Sequence, residues 1–571
     1  MHFEIFKNNN NMKQNFRNLM FVFILLCANI SYSQIYNSYQ NNGFDPITRN
    51  SYNPGMNLHT SVKPYRLDEI ENHYSTDSLV QRDLYKPYGK LNIFQRFVHD
   101  DLFRWEDKED IIMVRVNPLF NFEFGKELSE ERNLWVNTRG IMIEGQLGKN
   151  VAFFADFYEN QAVFPQYIDD YISDKSNPSF PRGRYVVPGQ GSTIKRFKET
   201  GWDYYQSTGY VSYNAGQYIN FHLGYGKNFL GDGYRSLLLS DNATAYTHFK
   251  MTTTFWKVKY WWMIAQFQHR NYDEIGELTR YPYKYGAFHY LTWNIGKRLS
   301  FGLFESVIWA EKDKEGHRGI DLNYINPFLF YRPVENAIGS PDNMFLGANI
   351  KLIIAKGTAL YSQFIINEFK LDELKARNGW WANKWGVQVG AKSYNIFRIN
   401  NLDIQSEINI VRPFTYTWYN PINNYGHATQ PLAHPLGANF RENVSIIRYR
   451  WKRWHIEMQS MIAIKGEDKN IVEALEMRPN DFENRVVSYG GDIYKSNQER
   501  FGSHGHNIGQ GYKTDIRNLS AELSWLINPK NNMNIAIGGR YRTYSNEKGE
   551  NVNKIFYVTL RTSLRNIYYD F

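Results

Sequence analysis

The chain has 571 residues, a formal charge of +9 and a single cysteine, so a disulfide framework and a thiolate metal cluster are both excluded. It is 17% aromatic, with 42 tyrosines and 15 tryptophans, yet its mean hydropathy is −0.56. A chain that is aromatic and polar together, with no linker or low-complexity break, reads as one large architecture whose strands are half wet and half apolar.

At the N-terminus, Lys13 and Arg17 precede an apolar run from Leu19 to Ala28 and then Ser31-Tyr32-Ser33. This order of charged region, core and small-residue site predicts a leader over residues 1–33, cleaved before Gln34. Met12 would start a leader of more usual length, which makes residues 1–11 an extension. Cys27 lies inside the leader, and Leu26 before it is too large for a lipid-attachment box. After Gln34 no run of about 18 apolar residues occurs, so no helix crosses a bilayer and any crossing is by strands that close on themselves.

Residues 34–110 carry Pro-Gly and Asn turns and two segments with helical spacing. In the second, Leu91, Phe94, Phe97, Val98 and Leu102 form one stripe. The region is expected to be a helical periplasmic portion or plug; a solvated extension is the plainer alternative.

From residue 111 to 571 the chain becomes a series of alternating segments, roughly eighteen in number. The clearest is Ile219 to Gly226, with Ile219, Phe221, Leu223 and Tyr225 on one side and Asn220, His222, Gly224 and Gly226 on the other. The links alternate too. Those at 147–150, 214–217, 295–298, 355–357, 451–453 and 528–532 are tight, while those at 160–203, 227–246, 312–343, 416–439 and 466–511 are mostly long. In a barrel with both ends on one side of the membrane every second link is a short turn, so the long loops are expected outside the cell. Inward positions carry Glu144, Asp156, Glu407, Glu457, Glu522, Arg448, Arg450, Arg540, Arg542 and Arg561. These charges either line an aqueous path or pair with one another and with loops folded into the lumen. The last strand alternates from Phe556, with Phe556, Val558 and Leu560 apolar against Tyr557, Thr559 and Arg561. It is expected to run on to the aromatic Phe571 after an irregularity near Asn566.

Three loops carry the distinctive chemistry: the glycine-rich stretch around Lys227, Asp232 and Arg235; Asn326 to Asn343, with Arg332; and Gln430 to Arg441, with His434, preceded by Trp418, Tyr419 and His427. Aromatic rings stack on the apolar faces of pyranoses while amides, carboxylates and guanidinium groups bond hydroxyls. These residues are therefore candidate polysaccharide contacts, against the alternative that they pack on each other and plug the mouth. The glycine spacing around residue 231 lacks the strand-to-helix setting and Gly-Lys-Ser/Thr ending of a phosphate loop. His504-Gly-His506 is more simply a solvated pair than a metal site. His434 and His248 are candidate bases of a barrel hydrolase, but no serine is singled out beside them.

The stretch from Leu223 to Tyr246, the segment beginning Asn326-Pro and ending at Asn343, and the run from Gln430 to Arg441 together resemble the loops of the Wzi-type capsule-assembly outer-membrane barrels, in the form found among Bacteroidetes, including their gliding-motility members. The resemblance implies an all-β, transmembrane antiparallel barrel of about 18 strands over 111–571 with a small helical N-terminal periplasmic portion. It also implies a non-enzymatic role in attaching surface polysaccharide or in surface movement. Its expected partners are outer-membrane lipid, surface polysaccharide and gliding or export machinery, with no nucleic acid, cofactor or metal. Lys227, Asp232, Arg235, Arg332, Trp418, Tyr419 and His434 are the candidate contacts. A solute channel and a lipid hydrolase remain the alternatives.

Overall fold

The computed structural model describes residues 46–71, 73, 91–107, 111–173, 183–191, 193–270, 281–313, 316–327, 330–339, 342–469, 487–562 and 567–571; the expected leader and the irregularity at Asn566 lie outside them. Eighteen strands, numbered in chain order, build a closed antiparallel barrel. They are β1 (Ile112–Glu127), β2 (Arg132–Leu147), β3 (Val151–Val163), β4 (Gly201–Ala215), β5 (Ile219–Gly226), β6 (Tyr246–Phe255), β7 (Val258–Gln268), β8 (Tyr283–Ile295) and β9 (Leu299–Ala310). The second half comprises β10 (Asn343–Ala355), β11 (Thr358–Glu368), β12 (Lys384–Tyr394), β13 (Leu402–Val411), β14 (Phe440–Trp451), β15 (Trp454–Glu467), β16 (Tyr512–Asn528), β17 (Met533–Asn546) and β18 (Gly549–Arg561). Each strand pairs with the next, and β18 closes on β1 in a register that runs from Ile555↔Glu127 to Arg561↔Asn121.

Because side chains alternate across a strand, each strand turns one row outward. The outward rows are apolar and exposed: Phe124, Leu223, Leu303, Ile462, Ile537 and Phe556 are all at least half exposed. Where the short turns lie, this belt ends in aromatic side chains, among them Tyr213, Phe255, Trp256, Trp451, Trp454 and Trp525. An apolar band bordered by aromatic rings is the outer face of a barrel that spans a bilayer. Among the described residues no helix is long and apolar enough to do so.

One end of the barrel carries tight links at 148–150, 216–218, 256–257, 296–298, 356–357, 452–453 and 529–532. Gly216 at φ 81° and Gly296 at φ 64° supply the left-handed backbone two of these turns require. The other end carries the long links, including 369–383, which contains a short helix at Leu371–Ala376. Two links at this end, 128–131 and 547–548, are short as well, so the wall beside the seam bears no long loop. There the strands themselves run on, and Lys126, Arg139, Glu159, Arg517 and Lys554 replace the apolar rows.

The lumen is occupied from both ends. From the short-turn end, residues 46–71 enter beside the turns: Gly55 N–H donates to the Lys297 carbonyl and Gly357 N–H to the Tyr52 carbonyl. From the long-loop end, the β5–β6 loop folds inward. The two meet in a two-stranded pairing of Val62–Lys63 with Phe229–Leu230. Above that junction the interior is a hydrophobic core in which Leu237, Leu238 and Leu239, all fully buried, pack with Phe345, Tyr425 and Leu432. The strands around it are apolar on their inner face as well: Trp261, Met263, Ala265 and Phe267 of β7 are buried.

The helix Ile93–His99 is capped by a reciprocal pair in which Asn92 and Gln95 bond each other's backbone. Its Phe97 ring stacks on Phe120 of β1, and Asn528 donates to the Phe97 and Asp100 carbonyls. Its Ile93 and Phe94 are more than two-thirds exposed, in line with the apolar belt. Residues 567–571 differ from the expectation. The last strand ends at Arg561, and Tyr568 to Phe571 lie in the lumen, where Tyr568 donates to Asp241 at 2.7 Å and Arg542 to the Phe571 carbonyl at 2.9 Å. The inward arginines Arg540 and Arg542, the β18 side chain Tyr557 and the loop tyrosine Tyr167 offer this tail a polar and aromatic bed that lipid would not.

Candidate functional site

The long-loop end gathers the candidate residues, and the β5–β6 loop is its keystone. Residues 430–439 clasp it: Ser240 N–H donates to the Leu432 carbonyl at 2.8 Å, Asn242 to Pro431 at 2.9 Å and Thr244 N–H to the Gln430 side chain at 2.9 Å. Tyr416 and Tyr425 donate to the Leu237 and Leu238 carbonyls at 2.7 and 2.6 Å. Such bonds satisfy backbone groups that the lumen would otherwise bury unpaired.

Asp232 is fully buried where the two inserted segments meet. It accepts from Tyr52 at 3.0 Å and Thr60 at 2.5 Å on the N-terminal segment and from Asn349 of β10 at 3.1 Å, with Lys351 at 4.0 Å. Burial alone would raise its pKa, but the ammonium groups of Lys351 and Lys392 and these donors outweigh it and hold the carboxyl below its usual value.

Arg235, 1% exposed, bridges Glu442 of β14 and Asp570 of the C-terminal tail, each at 3.0 Å. The rings of Tyr234 and Tyr568 each lie 4.9 Å from its guanidinium. Burial opposes the charge, and the two carboxylates more than restore it, so its pKa lies above the ordinary value. Glu407 of β13 receives the backbone N–H groups of Tyr234 and Arg235 at 2.8 and 2.9 Å. His434 joins the same network: Nε2 meets Glu442 at 2.6 Å, Nδ1 accepts from Leu436 N–H at 3.1 Å, and the ring stacks on Phe440. Burial pushes this imidazole's pKa down, with Glu442 opposing. Both nitrogens being engaged, His434 has no position from which to take a substrate proton.

The structure thus joins Arg235 and His434 through Glu442 and sets Asp232 deeper, at the plug. Lys227, half-buried, pins the loop by donating to the Gly189 and Asp241 carbonyls at 2.5 and 2.9 Å. Arg332, Trp418 and Tyr419 stand apart from that network. Arg332 is exposed on the helix Tyr331–Ile338, whose first N–H groups, those of Tyr331 and Arg332, both donate to Glu305. Tyr419 is 38% exposed, with its ring 5.8 Å from that of half-buried Trp418.

Residues not singled out from the sequence extend this face. Trp380 and Trp381 lie in the 369–383 link, and Lys384 sits over both Trp381 and Trp418, 4.9 and 5.3 Å from the ring centroids. Arg500 covers Trp381 at 4.1 Å. The Gly-Trp-Trp run at 379–381 was a readable signal, since adjacent tryptophans between two strands must pack or face a ligand. His506 bonds the Gly502 carbonyl at 2.9 Å and Gln510 at 3.1 Å, while His504 turns to Glu373, so these two do not converge on one point. The inward charges pair: Arg115 with Glu144 at 3.0 Å, Arg448 with Glu457 at 2.6 Å, and Arg561 with Glu522.

No family model matches the sequence, and no curated protein matches it. Among solved structures, the chain is similar to Wzi, described as an outer-membrane protein involved in group 1 capsule assembly in Escherichia coli and a carbohydrate-binding β-barrel, at TM-score 0.48 and 12% identity over 91% of this chain and 96% of that one. It is also similar to the Pseudomonas aeruginosa outer-membrane proteins OprD (TM-score 0.40, 10% identity, 80% and 96% covered) and OpdK (TM-score 0.40, 9% identity, 78% and 98% covered). At these identities and scores the likeness carries nothing about residues or ligands.

Proposed function

We propose that this chain is an outer-membrane barrel that binds surface polysaccharide at its long-loop end, in capsule or slime attachment or in gliding, and that it is not an enzyme. The reading takes residues 1–33 as an export leader, 34–110 as a periplasmic portion of which residues 46–71 form the plug, and the long loops as the cell's outer face. The observation that carries it is the filled lumen. Two inserted segments meet at Asp232, and the inward charges bond one another, the inserted loop and the tail, which favours a surface role over conduction. What the long-loop end then offers is rings and polar groups: Trp418, Tyr419, Arg332 and the half-buried Lys227 as contacts, with Asp232, Arg235 and His434 holding the loops that present them. A likeness to the gliding-motility protein RemB is part of this proposal, and would bring a partner in gliding or export machinery.

The test replaces Arg332, Trp418 and Tyr419 together by alanine and measures polysaccharide captured by the purified barrel and retained by cells. Capture is expected to fall at least tenfold, because ring stacking and the charged contact go together. Unchanged capture by a folded triple variant, or steady ion conductance of the native barrel in planar bilayers, would overturn the reading.

A further inference from the structure

The outward rows of β5 to β11 contain no lysine or arginine. The wall beside the seam differs. There the apolar rows end in Leu519 of β16, Phe556 of β18 and Phe124 of β1, all more than half exposed. The next outward residue toward the long-loop end is a cation on each of these strands: Arg517, Lys554 and Lys126, all exposed. On β17, between β16 and β18, the exposed ring of Tyr541 lies opposite both Leu519 and Lys554.

Register fixes the spacing of these groups. Lys126 faces Phe556 across the closing pair, so it is a diagonal neighbour of Lys554, roughly 7–8 Å away. Two flexible ammonium groups at that separation can close on one phosphate. Arg517 stands two strands from Lys554, about 10 Å sideways at the usual strand spacing, with Tyr541 between them. The nearest outward carboxylates, Glu131 and Asp515, lie above this tier toward the strand tips. Arg139 of β2 is not counted with the three, because Glu159 lies directly opposite it.

The arrangement selects among membrane lipids. A phospholipid diester brings one phosphate and no ring, and leaves either Arg517 or the lysine pair unused. A ligand that fits the whole tier has acyl chains for the apolar rows, a sugar ring for Tyr541 and an anionic group on either side of that ring. We propose that this wall binds a bisphosphorylated, acylated sugar lipid of the outer leaflet, with one phosphate between Lys126 and Lys554, the other on Arg517 and the sugar against Tyr541. The leaflet rests on the reading that the long loops face outward; polysaccharide binding does not enter.

Native mass spectrometry of the full barrel in detergent, titrated with bisphosphoryl lipid A, monophosphoryl lipid A and phosphatidylglycerol, tests the assignment. The bisphosphoryl lipid is expected to bind at least tenfold more tightly than phosphatidylglycerol, with the monophosphoryl form between them and inorganic phosphate unable to displace it. Lys126→Gln combined with Lys554→Gln should weaken the bisphosphoryl lipid tenfold or more. Tyr541→Ala should weaken it severalfold and leave phosphatidylglycerol unchanged, while Lys513→Gln, at the strand tip, should change neither. Phosphatidylglycerol bound as tightly as the bisphosphoryl lipid, displacement by inorganic phosphate, or full affinity in the double lysine variant would each overturn the proposal. A membrane-impermeant maleimide that fails to label Lys513→Cys on intact cells, in a Cys27→Ser background, would overturn the outward reading instead, whatever the purified barrel binds.

Discussion

The two faces of the same strands obey different rules. On the outer face one residue serves as well as another provided it is apolar: Leu523, Ile537 and Val558 are neighbours in register across β16, β17 and β18, and no polar contact fixes any of them. On the inner face almost every side chain has a particular partner, often from far along the chain, as when Arg235 meets Glu442 and Asp570. The outer face is held by solvent preference, which is non-directional; the inner face is held by bonds that fail singly.

The sharpest break of this contrast is Glu442→Ala. The change removes the carboxylate shared by Arg235 and His434 and also the acceptor of Asn409 at 2.9 Å. Breaking a buried ion pair outright costs about 3–5 kcal/mol; here Arg235 keeps Asp570 at 3.0 Å, so the cost falls below that range. The expected result is a lowered unfolding midpoint in detergent, partly restored by adding Arg235→Met. If the single variant unfolds like the native protein, the lumenal network is not what holds the β5–β6 loop.

The outer face has its own counterpart. Ile537→Arg places a charge in the apolar belt, and near the bilayer midplane this costs about 2–4 kcal/mol. Ile537→Leu should be almost silent. The penalty is read as the difference between unfolding in lipid vesicles and the same comparison at a position beyond the belt, such as Lys554. Equal tolerance at both positions would mean that lipid does not contact this row.

The same contrast decides what could be read from the sequence. The outward rows, the strand count and the alternation of short and long links were legible, because period-two alternation and turn residues are local properties. The inner face was legible only as polar. That β7 buries Trp261, Met263 and Phe267 inward follows from a loop arriving opposite them, which no local pattern records. The Leu237-Leu238-Leu239 run was the available hint: three leucines in an otherwise polar loop require burial. Of the candidate contacts, Asp232, Arg235 and His434 were visible as unusual loop residues. Their role as internal partners depends on residues up to 335 positions away, and the tail from Tyr568 to Phe571 looked like a continued strand because its alternation survives inside the lumen.

The smallest effect concerns the segment inserted from the short-turn end, and it is read by pH. His59 is 3% exposed and faces Thr292, with Lys259, Lys351 and Glu69 as its charged surroundings. Burial, helped by Lys259, lowers its pKa to about 3. A histidine held neutral in the folded state stabilises fully above its unfolded pKa of about 6.5 and loses that contribution as pH falls below it. At pH 5 the loss amounts to about 2 kcal/mol. Glu69 works in a separate window. Burial would raise it, but Lys259, 2.5 Å away, and Arg66 hold it down to about 2, so its contribution persists until pH falls through the ordinary carboxylate range. Hydrogen exchange of residues 56–66 should therefore quicken between pH 7.5 and 5, after correction for intrinsic rates, in the native protein and much less in His59→Gln. An equal response in both would detach the plug from this histidine and leave the outer wall as the only face whose energetics the structure explains.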